Sequence, residues 1–172
     1  MPFTPVHMGP GILIKAVLQS SFSLMVFGWS QIVMDVQPLI VMLTGEGHLH
    51  GFSHTYIGAT LLAILAGLSG KFLSELGLKI LILSHRENPI VIRWKVVFIS
   101  ALIGTYSHVF LDSMMHSDVM PFYPFLNANV FLSWLTIDQL HKLCLYSGLF
   151  GAGLYYGLHW YFMKKPKHKK ST

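Results

Sequence analysis

The segment Ser107-His108-Val109-Phe110-Leu111-Asp112-Ser113-Met114-Met115-His116-Ser117-Asp118 puts two histidines and two carboxylates at the end of an apolar run that begins near Trp94. On a helix, His108, Asp112 and His116 fall within about 80° of one another. His108 and Asp112 are one turn apart, so one cation could reach both. His116 lies a further turn on, about 6 Å of rise from Asp112, which suits a second metal or a supporting role better. Ionisable groups in a membrane-embedded segment are costly and therefore mark function by default.

Other imidazoles and carboxylates extend the set. His50 and His54 sit in a glycine-rich loop, Thr44-Gly45-Glu46-Gly47-His48-Leu49-His50-Gly51-Phe52-Ser53-His54, while His7 and Asp35 flank the first apolar stretch. The candidate metal ligands are His7, Asp35, His50, His54, His108, Asp112 and His116, with Asp118 and Glu46 as proton acceptors and His141 behind them. Imidazole with carboxylate suits zinc, and also manganese or iron. The single cysteine, Cys144, excludes a thiolate set and an internal disulfide. An ion held this way acidifies the water it binds and polarises a phosphoryl or acyl oxygen. Blander readings stand beside this one. His108 and Asp112 could satisfy each other locally, Asp35 could cap or pair with Lys15, and His48, His85, His159 and His168 read as interfacial polar residues.

The elements that must position these groups are apolar. Of 172 residues 53% are hydrophobic and only 11% charged, against about 25% charged in an average soluble domain. This is the composition of one integral membrane domain. Residues 12–34 form either one span or two shorter helices with a turn near Ser20 to Ser23. Pro38 marks a helix end or kink. An apolar run follows from Thr55, and the recurrence of Lys71, Glu75 and Lys79 predicts that this span ends near Ser69 and continues as an interfacial amphipathic helix. Residues 96–115 form another span. Residues 118–140 read as an interfacial loop, and a last span over 140–163, capped by Asp138, contains Gly153 and Gly157 in a Gly-x-x-x-Gly packing pattern.

Five of the twelve basic residues lie in the last nine positions. Such a tail, and the Arg86 to Lys95 loop, belong in the cytoplasm by the positive-inside rule and point to anionic lipid rather than nucleic acid. The histidine loop, the 108–118 segment and the 118–140 loop then share the opposite face. His7 and Asp35 can join them only if residues 12–34 turn back, because a straight helix between the two would be about 42 Å long.

The ordered set Thr4-Pro5-x-His7-x-Gly9, Asp35 shortly before a proline, His50-x-x-x-His54-Thr55 and Ser107-His108-x-x-x-Asp112 resembles the YdjM-like family. That family is described as inner-membrane, metal-dependent hydrolases with a phospholipase-like character. The resemblance runs through about Pro124. It implies that His7, Asp35, His54, His108 and Asp112 match the family's metal-site positions. The chain departs from the pattern twice. Gln37 stands where the family often has a second aspartate, and His50 and His54 are four apart where the family often has five.

The expectation is therefore an all-α, polytopic membrane protein with about four to five membrane-embedded helices. Residues 1–163 form one metal-site domain and 164–172 a basic cytoplasmic tail. The site lies at the non-cytoplasmic edge of a bacterial inner membrane, holds a divalent metal (zinc first), and hydrolyses a phosphoester or ester of a lipid-like substrate such as a phospholipid. Two other classes stay open. One is a metal transporter or sensor, although the middles of the 55–69 and 96–107 segments hold no ionisable residue. The other is a non-catalytic membrane scaffold.

Overall fold

A computed structural model describes residues 7–81 and 90–164, residues 163 and 164 by backbone alone. Thr4-Pro5, the His85 and Arg86 part of the basic loop, and the tail beyond Lys164 lie outside the described residues. Within them the chain is entirely helical, with five α-helices: α1 Met8–Leu18, α2 Leu24–Thr44, α3 Tyr56–Ile80, α4 Trp94–Met115 and α5 Ile137–Lys164. Three of these, α2, α3 and α4, are long and apolar enough to cross a membrane. That is fewer than the four to five expected. Helix α1, with 11 residues, is only about 16 Å long. Helix α5 has the length, but its glycines, tyrosines and His159 dilute its apolar character.

The first apolar stretch is a hairpin. A 3-10 turn over Gln19–Ser21 ends α1, Ser23 caps α2 by accepting from the Val26 amide, and Lys15 donates to the carbonyls of Gln19 and Phe22 across the turn. Lys15 therefore serves the turn and does not pair with Asp35. Pro38 does not end α2. The helix runs on to Thr44, with Pro38 buried inside it at the cost of one bond to the Met34 carbonyl, and stops at Gly45 in the left-handed region (φ 73°).

Helix α3 likewise shows no division near Ser69. Its expected polar stripe faces inward at one position: Lys71 is buried, pairs with Glu75 and lies 5.4 Å over the Trp94 ring. Glu75 also accepts from the Ile92 amide at 2.9 Å. These charges tie α3 to the start of α4 rather than floating a helix on a bilayer surface. Val26, Ala63, Ala66, Val97 and Ala101 fill the space between α2, α3 and α4.

The α5 cap is Thr136, not Asp138. Thr136 accepts from the Gln139 amide and Gln139 Oε1 accepts from the Thr136 amide, a reciprocal capping box, while Asp138 pairs with Lys142 at 2.8 Å. Helix α5 packs parallel to α1: a Cβ on Gly9 would lie 1.9 Å from the Cys144 carbonyl oxygen, and one on Gly151 would lie 2.5 Å from the Leu13 backbone. The anticipated pair Gly153 and Gly157 has nothing within 4 Å. Gly151→Leu is thus expected to destabilise the protein by about 1–3 kcal/mol, while Gly153→Leu leaves it unchanged. Thermal unfolding of both variants in detergent measures the difference, and equal effects would contradict this packing.

Candidate metal centre

Asp112 lies one turn after His108 on α4, and both are buried. Four imidazoles converge on its carboxylate. His7 Nε2 is 3.7 Å from Oδ1, while the Nε2 atoms of His108, His54 and His50 are 3.2, 3.5 and 4.0 Å from Oδ2. His108 Nε2 is also 3.4 Å from Asp35 Oδ1. Each element makes this possible for a local reason. The hairpin returns His7, just before α1, to the level of Asp35 on α2. A 3-10 turn over Phe52–His54 gives His50 and His54 their common direction, and Thr55 then caps α3.

The orientation of the rings is imposed from outside the cluster. Gln31 Nε2 donates to the Gly104 carbonyl at 2.9 Å, which turns Oε1 toward His108 Nδ1 at 2.8 Å. The Gln31 oxygen can only accept, so His108 carries a proton on Nδ1 and turns Nε2 toward Asp112 and Asp35. Asp118 does the same for His50, both carboxylate oxygens lying 3.0 Å from Nδ1. Ser53 Oγ lies 2.9 Å from His54 Nδ1. The Nε2 atoms of His7, His54 and His108 are buried and make no hydrogen bond. Buried polar atoms are nearly always satisfied, so three together, aimed at two carboxylates, are what a cation would complete.

Combinations of these residues bring one donor atom each to within 4.8 Å of the others: His7 with His108 and Asp112, Asp35 with His54 and His108, and His50 with His54 and Asp112. An outer group joins His50, His116 and Asp118. His116 stacks on His50 with ring centroids 4.3 Å apart. Burial pushes His7 down to about 4, against the pull of Asp112, and burial also lowers His54 and His116. These rings are therefore neutral near pH 7, the form that binds metal. For Asp118, burial works upward, but the bond from His50 outweighs it and holds the carboxyl below its ordinary value.

The other expected residues fall elsewhere. Glu46 is exposed in the loop after α2 and belongs to none of these groups, so the structure does not bring it to the site as a proton acceptor. His141 is exposed on α5 and belongs to none of these groups, but it is close enough to His7 to act on its charge. Gln37, at the family's aspartate position, braces the loop instead: its oxygen accepts from the Ser53 amide and its nitrogen donates to the His48 carbonyl. A cavity of about 380 Å³ lined by His48, His50, Phe52, Asp118, Met120 and Tyr123 opens onto the cluster at His50.

Sequence reasoning missed Gln31 and Ser53. A glutamine one turn before Asp35 in an apolar helix was the available signal. Removing such a support typically costs 10–100-fold in metal affinity, so about that loss is expected for Gln31→Leu with helical content unchanged. Competition against a calibrated chelator measures it, and wild-type affinity in the variant would remove Gln31 from the account.

Residues 12–167 match the family model described as YdjM inner membrane protein. No curated protein and no solved structure matches the chain. The match begins within α1 and covers α2 to α5, including the three helices that are long and apolar enough to cross a membrane. The chain belongs to the YdjM inner membrane protein family.

Proposed function

We propose that this protein is a metal-dependent hydrolase of the inner membrane that cleaves an ester or phosphoester of a lipid-like substrate. The observation that carries this reading is the set of buried, unbonded Nε2 atoms gathered around Asp112. His7, Asp35, His54, His108 and Asp112 would hold the ion, zinc being the first choice for imidazole with carboxylate. When bound, such an ion supplies Lewis acidity, polarising a phosphoryl or acyl oxygen and making a nearby water more acidic.

The chain's own residues would handle the proton. His50 differs from the other imidazoles: it is the farthest from Asp112, it carries a carboxylate on Nδ1, and it lines the cavity. It would take the proton at Nε2 while Asp118 holds Nδ1–H and stabilises the imidazolium, the division of labour of a carboxylate–histidine pair. Asp118 thereby acts through His50 rather than as the base itself. His116, stacked on His50, would limit how that ring turns. Water would reach His50 from the cavity side, and among the described residues Val26, Val97 and Ala101 pack the bundle between α2, α3 and α4. The same packing argues against a transport path. In the membrane, the positive-inside rule puts the site toward the non-cytoplasmic side and the basic C-terminus in the cytoplasm.

Elemental analysis and turnover on the same preparations test this reading. Wild-type protein is expected to retain a divalent ion and hydrolyse a phospholipid or ester. His108→Ala should lose both. His50→Ala and Asp118→Asn should keep the ion and lose about 10²–10⁴-fold in turnover. A wild-type protein that carries the ion and hydrolyses no phospholipid, nucleotide or generic ester would overturn the proposal.

A further inference from the structure

A second opening reaches the cluster from the side. An apolar cavity of about 470 Å³ follows one face of α2, past Leu24, Met25, Gly28 and Ile32, between Met8 of α1 and Leu73 of α3. Its polar end is formed by Gln31 and Asp35, both buried. Helix α1 makes its backbone contacts with α5, and on this face Gly28 of α2 leaves room beside the Met8 thioether. From Leu24 to Asp35 the groove runs for about 16 Å along α2. Met25, Ile32 and Leu73 are exposed, and α2 and α3 are apolar enough to span a membrane, so the groove opens to hydrocarbon and not to water.

The site thus has two approaches of opposite polarity. The cavity at His50 and Asp118 carries charge, and the groove along α2 is mainly apolar, with Ser74 of α3 its one small polar side chain besides Gln31 and Asp35. An amphiphile whose polar and apolar parts meet at a single ester linkage matches this arrangement.

We propose that the groove holds one acyl chain of a membrane lipid, entering sideways from the bilayer, with the ester end of the chain at Asp35. That the lipid is the substrate rests on the hydrolase reading; occupancy of the groove does not. If both hold, the substrate class is a lipid cleaved where chain meets headgroup, and Gly28 and Ile32 set which chains fit. A Cβ on Gly28 would lie 3.4 Å from the Met8 thioether, so any larger side chain there extends into the groove.

The test uses the full protein in vesicles of phosphatidylethanolamine and phosphatidylglycerol doped with a phospholipid carrying a diazirine in its acyl chain. After illumination, label is expected on Met25 and Leu73 at least five-fold above more exposed apolar residues elsewhere, such as Leu61 and Leu149. Gly28→Trp should reduce that labelling at least five-fold without changing bound metal. Ile32→Trp, at an exposed position, should do the same and guards against a folding defect in the first variant. Uniform labelling of all exposed apolar residues, or labelling unaffected by both substitutions, would overturn the proposal. Labelling that follows the expected pattern in a protein that hydrolyses no lipid keeps the acyl site and removes the hydrolase reading.

Discussion

The structure depends on a carboxylate, Asp112, buried inside an apolar helical bundle. A buried charge of this kind is costly unless it is paired and hydrogen-bonded. Here it is surrounded by imidazoles from the start of α1, the loop before α3 and the preceding turn of α4, with a second carboxylate from α2 behind His108. Almost every irregularity of the fold brings one of these groups within reach. The half-length α1 returns His7, the 3-10 turn at Phe52–His54 aims two histidines, and α2 is interrupted by nothing before Asp35.

Burial and orientation act together at this centre. Outer partners take the Nδ1 positions of His50, His54 and His108, which leaves their Nε2 atoms to face inward. Burial keeps His7 and His54 neutral, the form that can ligate a cation. Neutral imidazoles do little to offset the charge of Asp35 and Asp112. A divalent cation would offset it directly, and this is the physical argument for the proposed metal.

Much of this was legible in the sequence. The His108/Asp112 pair followed from helical spacing, and the turn at Ser20 to Ser23 followed from a length argument, since His7 could reach Asp35 in no other way. Where the reading missed, a local pattern was read without the tertiary partner that decides it. The Lys71, Glu75 and Lys79 stripe looked like an interfacial helix face, yet Lys71 is buried and Glu75 binds the chain before α4. Pro38 read as a helix end or a kink, and the end is excluded because α2 continues through it to Thr44, one lost backbone bond not stopping a helix held on several sides. Gly153 and Gly157 matched a packing pattern, while Gly9 and Gly151 made the contact; spacing alone does not say which face of α5 meets α1. Gln31 went unnoticed because its role lies in what its amide touches on another helix.

The account stands or falls on whether an ion occupies the space facing the Nε2 atoms. X-ray absorption at the metal edge of the protein as purified from membranes addresses that directly. The expected spectrum is a mixed nitrogen and oxygen shell at about 2.0–2.2 Å, with outer scattering from several imidazole rings and no sulfur. A protein without bound metal, or a metal whose shell lacks imidazole, would contradict it.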